Sequence, residues 1–229
     1  MSTLLLRFAA PMQSWGTDSK FDRRGTGREP SKSGVIGLCA AALGYERNED
    51  EKMKKISGLR FGVRIDKPGK LIKDFHMVHK DEFWDCGDRS KTNQSIKQQR
   101  KNDISYISTR YYLADAAFLV GLSGDNELLC EISAAIRSPS FPLYLGRRCC
   151  PPEGRLFISI VADELEDALK NHPPVFETRI VIDAPTSPDS TSHLQRDLPI
   201  SFNPEHRRYN YRPIQELPHD PLAAVEEVL

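Results

Sequence analysis

At 229 residues and 39% hydrophobic composition the chain can bury one generous core, but it holds no run approaching the roughly 18 to 20 apolar positions of a membrane helix. Its 32 cations balance 32 anions, which excludes a globally basic nucleic-acid binder. Its five cysteines (39, 86, 130, 149 and 150) form an odd set without a Cys-x-x-Cys pair, so neither a zinc knuckle nor a disulfide framework is indicated. The start, Met1 to Ala10, is too short and too early charged for a signal peptide, so a cytoplasmic protein with no membrane association and no cofactor is expected.

Leu4, Leu5, Leu6 and Phe8, stopped by Pro11, read as a short buried strand. A polar loop rich in Gly and Arg (Arg23, Arg24, Gly25, Gly27, Arg28) leads to Val35, Leu38, Cys39, Ala42 and Leu43 at helical spacing. Ser31 or Ser33 is the N-cap of that helix and Gly44 its C-terminal stop, and Glu49 to Ser57 adds a short charged helix. Leu59, Phe61, Val63 and Ile65 alternate with polar positions, and Leu71 to Val78 after Pro68-Gly69 reads as the hairpin partner of that strand. From Lys80 to Ser108 apolar residues thin out, which predicts an excursion from the core over about 80–110. Tyr111 to Leu122 resumes as a strand, Leu128, Leu129, Ile132 and Ile136 mark a helix, and Leu143 to Leu145 another short strand.

That order is the ferredoxin-like plan, an α+β fold with an insertion. Beyond Pro151-Pro152, Leu156 to Val161 and Glu177 to Ile182 read as strands in a proline-punctuated tail. The predicted organisation is a ferredoxin-like domain over 1–150 and a small, mainly β region over 151–229.

Three turns carry the parts of an anion site: Pro11-Met12-Gln13-Ser14-Trp15-Gly16, Pro30-Ser31-Lys32-Ser33-Gly34, and Leu143-Tyr144-Leu145-Gly146-Arg147-Arg148-Cys149-Cys150-Pro151-Pro152. In the third, Gly146 lets backbone amides approach a phosphate, and Arg147 and Arg148 offer two guanidiniums for bidentate contact. In the second, Ser31, Lys32 and Ser33 stand at the positive end of a helix dipole, although the spacing is not that of a nucleotide P-loop; an ordinary N-cap is the rival reading. In the first, Gln13 and Trp15 read or stack on a base, or else Trp15 belongs to the core. Arg60-Phe61-Gly62-Val63 is a poor match to an RNA-recognition strand, because alternation sends Phe61 inward with Leu59, Val63 and Ile65.

Between Arg89 and Arg110 six cations (Arg89, Lys91, Lys97, Arg100, Lys101 and Arg110) stand against Asp103 alone, the composition of an arm that orders on a nucleic-acid backbone. His76, near His79 and Lys80, raises the question of metal-independent RNA cleavage, which needs an acid and a base. His206-Arg207-Arg208-Tyr209-Asn210-Tyr211-Arg212 forms a second basic and aromatic cluster, read equally as a nucleic-acid or protein contact and as a strand with a basic face.

Residues 11 to 44, 110 to 118 (Arg110-Tyr111-Tyr112-Leu113-Ala114-Asp115-Ala116-Ala117-Phe118) and 143 to 152 resemble the CasD family, RAMP-superfamily subunits of the type I-E CRISPR surveillance complex Cascade. The resemblance implies a non-catalytic, RRM-like subunit that caps the 5′ handle of the guide crRNA in antiviral defence. Handle contacts fall on Gln13, Trp15, Arg24, Arg28, Ser31, Lys32, Ser33, His76, Arg110, Gly146, Arg147, Arg148 and Cys149, the last standing where the family usually carries Ser. The insertion is then the thumb, with Arg89, Lys91, Lys97, Arg100 and Lys101 along it. The implied partners are the crRNA, the Cascade backbone subunit and the large subunit, with target DNA met only through the assembled complex. The alternative is an endoribonuclease processing pre-crRNA with His76 as acid or base.

Overall fold

The computed structural model describes residues 2–16, 19–20, 22–80, 104–173, 179–184 and 192–217. In chain order these form β1 (Ser2–Ala9), β2 (Met12–Gln13), β3 (Ser19–Lys20), β4 (Arg23–Arg24), α1 (Lys32–Leu43), α2 (Asp50–Ser57), β5 (Arg60–Lys67), β6 (Lys70–Lys80), β7 (Ile104–Ala114) and β8 (Ala117–Gly124). They continue with α3 (Asn126–Arg137), β9 (Phe157–Val161), α4 (Leu165–Asn171), β10 (Arg179–Asp183), β11 (His193–Ser201) and β12 (Arg208–Leu217). The fold is mixed α+β and dominated by strands. Among the described residues no helix is long and apolar enough to cross a membrane.

The main sheet runs β11-β12-β10-β5-β8-β1-β9, with every neighbouring pair antiparallel. Its strands β1, β5, β8 and β9 are linked in the order β-α-β-β-α-β, with β8 between β1 and β5. The boundary expected near residue 150 falls between α3 and β9, and the strands beyond it join this same sheet. Leu143 to Leu145, expected as a strand, is irregular; β9 takes that place beside β1.

Local signals set the helices where the sequence puts them. The Ser31 hydroxyl accepts from the Gly34 amide at the start of α1, and Gly44, at φ 75°, closes it in the left-handed conformation. Asp125 caps α3 in the same way through the Leu128 amide. One sheet face, built from Leu4, Leu6, Phe8, Phe61, Val63, Val120 and Leu122, packs on Ile36 and Cys39 of α1, Ile56 of α2, and Leu129 and Ile132 of α3. Phe61 lies in this core, as its alternation predicts.

The opposite face is closed by α4, whose Leu165, Ala168 and Leu169 sit on Leu5, Leu119, Ile180 and Ile182. Two cross-strand partners, Gly62 and Gly121, make room for it: a Cβ at 62 would lie 2.8 Å from Leu169 Cδ1, and one at 121 would lie 2.6 Å from Leu165 Cδ1.

The strand Leu71 to Val78 is not the partner of Leu59 to Ile65. Instead β6 pairs with β7 over its whole length, from Lys70 opposite Ala114 to Lys80 opposite Ile104. Likewise Tyr111 to Leu122 is two strands, β7 and β8, in different sheets. Both corrections have one cause. The β5–β8 ribbon leaves the main sheet at Lys67 and Ala117 and continues as β6–β7 in the second sheet, kinked at Gly69 (φ 71°) and Asp115 (φ 54°). The ribbon therefore projects beyond the 80–110 window assigned to the insertion.

Arg64 on β5 is fully buried and fixes the carboxyl end of α4. Its Nε donates to Asp66 at 2.6 Å, Nη1 to the carbonyls of Leu169 (2.7 Å) and His172, and Nη2 to that of Pro173 (3.1 Å). Replacing Arg64 by Met leaves these acceptors unpaired and is expected to lower stability by about 3 kcal/mol in urea unfolding. The half-buried Arg60, bonded to Glu166 at 2.6 Å on the surface, should cost less than about 1 kcal/mol on change to Ala.

Candidate nucleic-acid interface

The loop from Tyr144 to Cys150 is stitched down at both ends. The Ser14 amide donates to the Leu145 carbonyl (3.1 Å), the Leu145 amide to that of Cys150 (2.7 Å), and the Cys150 amide to that of Arg147 (2.9 Å). Gly146, at φ 91°, passes so close to Ser14 that a Cβ would collide with the Ser14 carbonyl oxygen. Glycine is therefore required here by protein packing before any ligand arrives. The turn leaves the amides of Arg147, Arg148 and Cys149 without a hydrogen-bond partner among the described residues, an arrangement suited to an anion.

Arg147, expected to hold a phosphate, is engaged by the protein itself. Its Nη2 donates to the carbonyls of Arg24 (2.9 Å) and Gly25 (3.3 Å), its Nη1 to that of Tyr111 (3.4 Å), and its guanidinium lies 4.8 Å from the Tyr112 ring centroid. It is a strut that holds the loop against β4 and β7. Arg148 is exposed and makes no ion pair among the described residues.

That strut gathers a patch of cations. Strand β4 runs parallel to β7 with Arg24 opposite Arg110, and Arg23 stands 5.2 Å over the Tyr111 ring. Arg23, Arg24, Arg28 and Arg148 are exposed. The buried Nε of half-buried Arg110 has no partner among the described residues. Sequence reasoning passed over Arg23 and the two tyrosines as site residues. Arg23 was visible only as part of a basic loop, and the tyrosines act through carbonyl and ring.

Gln13 and Trp15, expected to meet a base, both lie in the core. Gln13 is fully buried, donating to the carbonyls of Phe8 (3.2 Å) and Ala116 (2.8 Å) and accepting from Trp15 Nε1 (3.1 Å). Trp15 is 1% exposed and stacks on Phe8 at 5.6 Å. Together they tie the end of β1 to the basic loop, where the Gly27 amide donates to the Trp15 carbonyl (2.6 Å).

At the α1 terminus, expected to receive a phosphate, the chain places its own anion. The Lys32 amide donates to Asp197 Oδ2 (2.8 Å), and the Lys32 ammonium binds Asp183 Oδ2 (3.0 Å). Arg212 completes the cluster, with Nη1 on Asp183 (2.5 Å) and Nε and Nη2 on the two Asp197 oxygens (2.9 and 2.8 Å). Burial holds the Lys32 ammonium below its ordinary range, with Asp183 opposing that shift. Ser31 is taken up as the N-cap, with the Ser33 hydroxyl 3.4 Å away.

Cys149 is exposed, its Sγ 3.6 Å from the Tyr112 hydroxyl, while burial and then Cys149 itself push the Cys150 thiol up to about 12. On β6, His76 Nε2 lies 2.5 Å from Asp74, which faces Arg110 across the ribbon. No second acid–base side chain is bonded to this pair among the described residues. His206, Arg207, Arg208 and Tyr211 are exposed, whereas Arg212 of the same string points into the buried cluster. Arg89, Lys91, Lys97, Arg100 and Lys101 lie outside the described residues.

Residues 3–215 match the family described as CRISPR-associated protein (Cas_Cas5), under the name Cas_Cas5d. Over 180 residues the chain is 34% identical to the CRISPR system Cascade subunit CasD of Escherichia coli (strain K12), covering 76% of this chain and 78% of that one. A chain of a CRISPR RNA-guided surveillance complex superposes with a TM-score of 0.73 at 29% identity, over 95% of this chain and 90% of its own. A crystal structure of a Cas protein gives 0.68 at 33% identity, over 96% and 99%.

Because Asp197 is 1% exposed and pairs with Arg212 and the Lys32 amide, Asp197→Ala is expected to cost about 3 to 5 kcal/mol in urea unfolding. Ser31→Ala should cost about 1 kcal/mol. Neither change should lower the RNA affinity of the folded fraction in filter binding; a specific loss would restore the helix terminus as an RNA site.

Proposed function

The chain belongs to the Cas5 family of CRISPR-associated proteins, and from that membership we propose that it is the non-catalytic crRNA-binding subunit of a type I-E Cascade complex, capping the 5′ handle of the guide. One observation carries the reading: Arg23, Arg24, Arg110 and Arg148 converge on the loop whose amides at 147–149 are unpaired, and none of the four makes an ion pair among the described residues. Guanidiniums beside free amides suit a phosphodiester backbone. The strand order supports a ferredoxin-like, RAMP-type core, and the covered second sheet face supports binding through loops rather than through an RRM-like aromatic surface.

The kinked β6–β7 ribbon supports the thumb reading. It carries the chain toward the cations of 89–101 and exposes Leu71, Phe75, Met77 and Ile107, a surface for the neighbouring backbone subunit. The exposed His206, Arg207, Arg208 and Tyr211 suit the large subunit, and target DNA is met only through the assembled cytoplasmic complex. Catalysis is assigned elsewhere in the complex, because among the described residues His76 is held by Asp74 and no second acid–base side chain is bonded to the pair.

Changing Arg24 or Arg148 to Ala should each weaken binding of a handle-bearing RNA about tenfold. The slope of log affinity against log salt should fall by about 0.7 for every phosphate that is no longer neutralised. An unchanged slope in both variants would overturn the assignment. Repeat RNA incubated with the protein without metal should remain uncut; a single cut abolished by His76→Ala would replace the cap with an endoribonuclease.

A further inference from the structure

We infer that Cys149 and Cys150 are an oxidation-sensitive pair, which a hydroperoxide closes to a vicinal disulfide and thereby unseats the RNA-binding loop. The consequence for RNA rests on the function proposed above; the thiol chemistry does not.

The two sulfurs lie 3.9 Å apart in the turn that presents the unpaired amides. They are unequal. Cys149 is exposed, so the first oxidation falls there. Cys150 is 1% exposed and its thiol is held neutral by burial, so it is protected from solvent oxidant yet adjacent to the sulfur that reacts.

In the first step the Cys149 sulfur attacks the peroxide oxygen, the O–O bond breaks, and a sulfenic acid and water form when hydrogen peroxide is the oxidant. In the second the Cys150 sulfur attacks the sulfenic sulfur, the S–O bond breaks, and water leaves with the Cys150 proton. Two thiols and one peroxide thus become one disulfide and two waters, and each sulfur gives up one electron.

Closure draws the sulfurs from 3.9 Å to the roughly 2 Å of a disulfide within a single dipeptide. The Cys149–Cys150 peptide must turn to allow it. That peptide carries the Cys150 amide bonded to the Arg147 carbonyl (2.9 Å), and the next carries the Cys150 carbonyl bonded to the Leu145 amide (2.7 Å). These two bonds define the loop, so oxidation dismantles the geometry that leaves the amides at 147–149 open. The Cys149 sulfur is also withdrawn from the hydroxyl of Tyr112, the ring on which Arg147 rests.

The test treats the full-length protein, carrying Cys130→Ser to remove an unrelated exposed thiol, with dilute hydrogen peroxide. The tryptic peptide from Cys149 to Arg155 is then weighed, and handle-RNA affinity is measured before and after. The expected result is a peptide lighter by two hydrogens, a fall in affinity of about tenfold or more, and recovery of both with dithiothreitol. In Cys149→Ser the peptide should keep its mass, and peroxide should leave that variant's affinity at its own starting value. A peptide that only gains oxygen, or does not change, overturns the pair. A closed disulfide with unaltered affinity overturns its link to the loop. If the reduced protein binds no handle RNA, the functional assignment fails, while the peptide mass still decides the thiol chemistry.

Discussion

Four charges, three of them buried and Asp183 nearly so, decide how the rest of this protein is arranged. Lys32, Asp183, Asp197 and Arg212 lie at side-chain exposures of 6%, 16%, 1% and 5%, and come from α1, β10, β11 and β12. Burying such a cluster is costly unless nearly every donor and acceptor is met. Here the backbone completes it: the Phe61 amide donates to Asp183 (3.0 Å), the Lys32 amide to Asp197 (2.8 Å), and the Phe61 ring lies 5.1 Å from the Arg212 guanidinium. The cluster binds the C-terminal strands to the start of α1 and to β5, so the strands after residue 183 are part of what seats the first helix.

The same cluster fills the helix terminus that the sequence offered to an external anion. A helix amino terminus attracts negative charge, and here Asp197 meets that attraction internally. The second sheet face is closed by α4 over Gly62 and Gly121, which removes the surface an RNA recognition domain uses. Among the described residues, the loop at Gly146 and the edge formed by β4 and β7 stay open. The proposed interface is thus defined as much by what the fold fills as by what it leaves unpaired.

Local features were legible in the sequence because their causes are local. The cap at Ser31, the stop at Gly44 and the alternation through β5 depend on neighbours a few residues away. The family resemblance was legible for the same reason, since its strings are contiguous. Pairing was not. Pro68-Gly69 has the composition of a hairpin turn, yet Gly69 bends a ribbon out of one sheet and into another, and that depends on Asp115 bending the partner strand beside it. Lys32 looked like a phosphate ligand because its carboxylates lie 151 and 165 residues away. Gln13 and Trp15 looked available because the groups that hold them come together only in the fold, and the acceptors of Gln13 are backbone carbonyls, which no sequence pattern displays.

Arg147 and Arg148 show how adjacent, identical residues come to differ. The left-handed turn at Gly146 sends Arg147 back over the protein, where carbonyls of Arg24, Gly25 and Tyr111 are within reach, and leaves Arg148 in solvent. A guanidinium has five donors in a fixed plane, so one that serves three carbonyls and an aromatic face is committed to holding the loop. A lysine at 147 would supply charge but not that geometry, whereas a lysine at 148 would keep much of what an exposed phosphate contact needs. If the loop holds RNA as proposed, charge identity matters most at 148 and side-chain shape at 147, because the path of one glycine sends Arg147 back onto the protein and Arg148 into solvent.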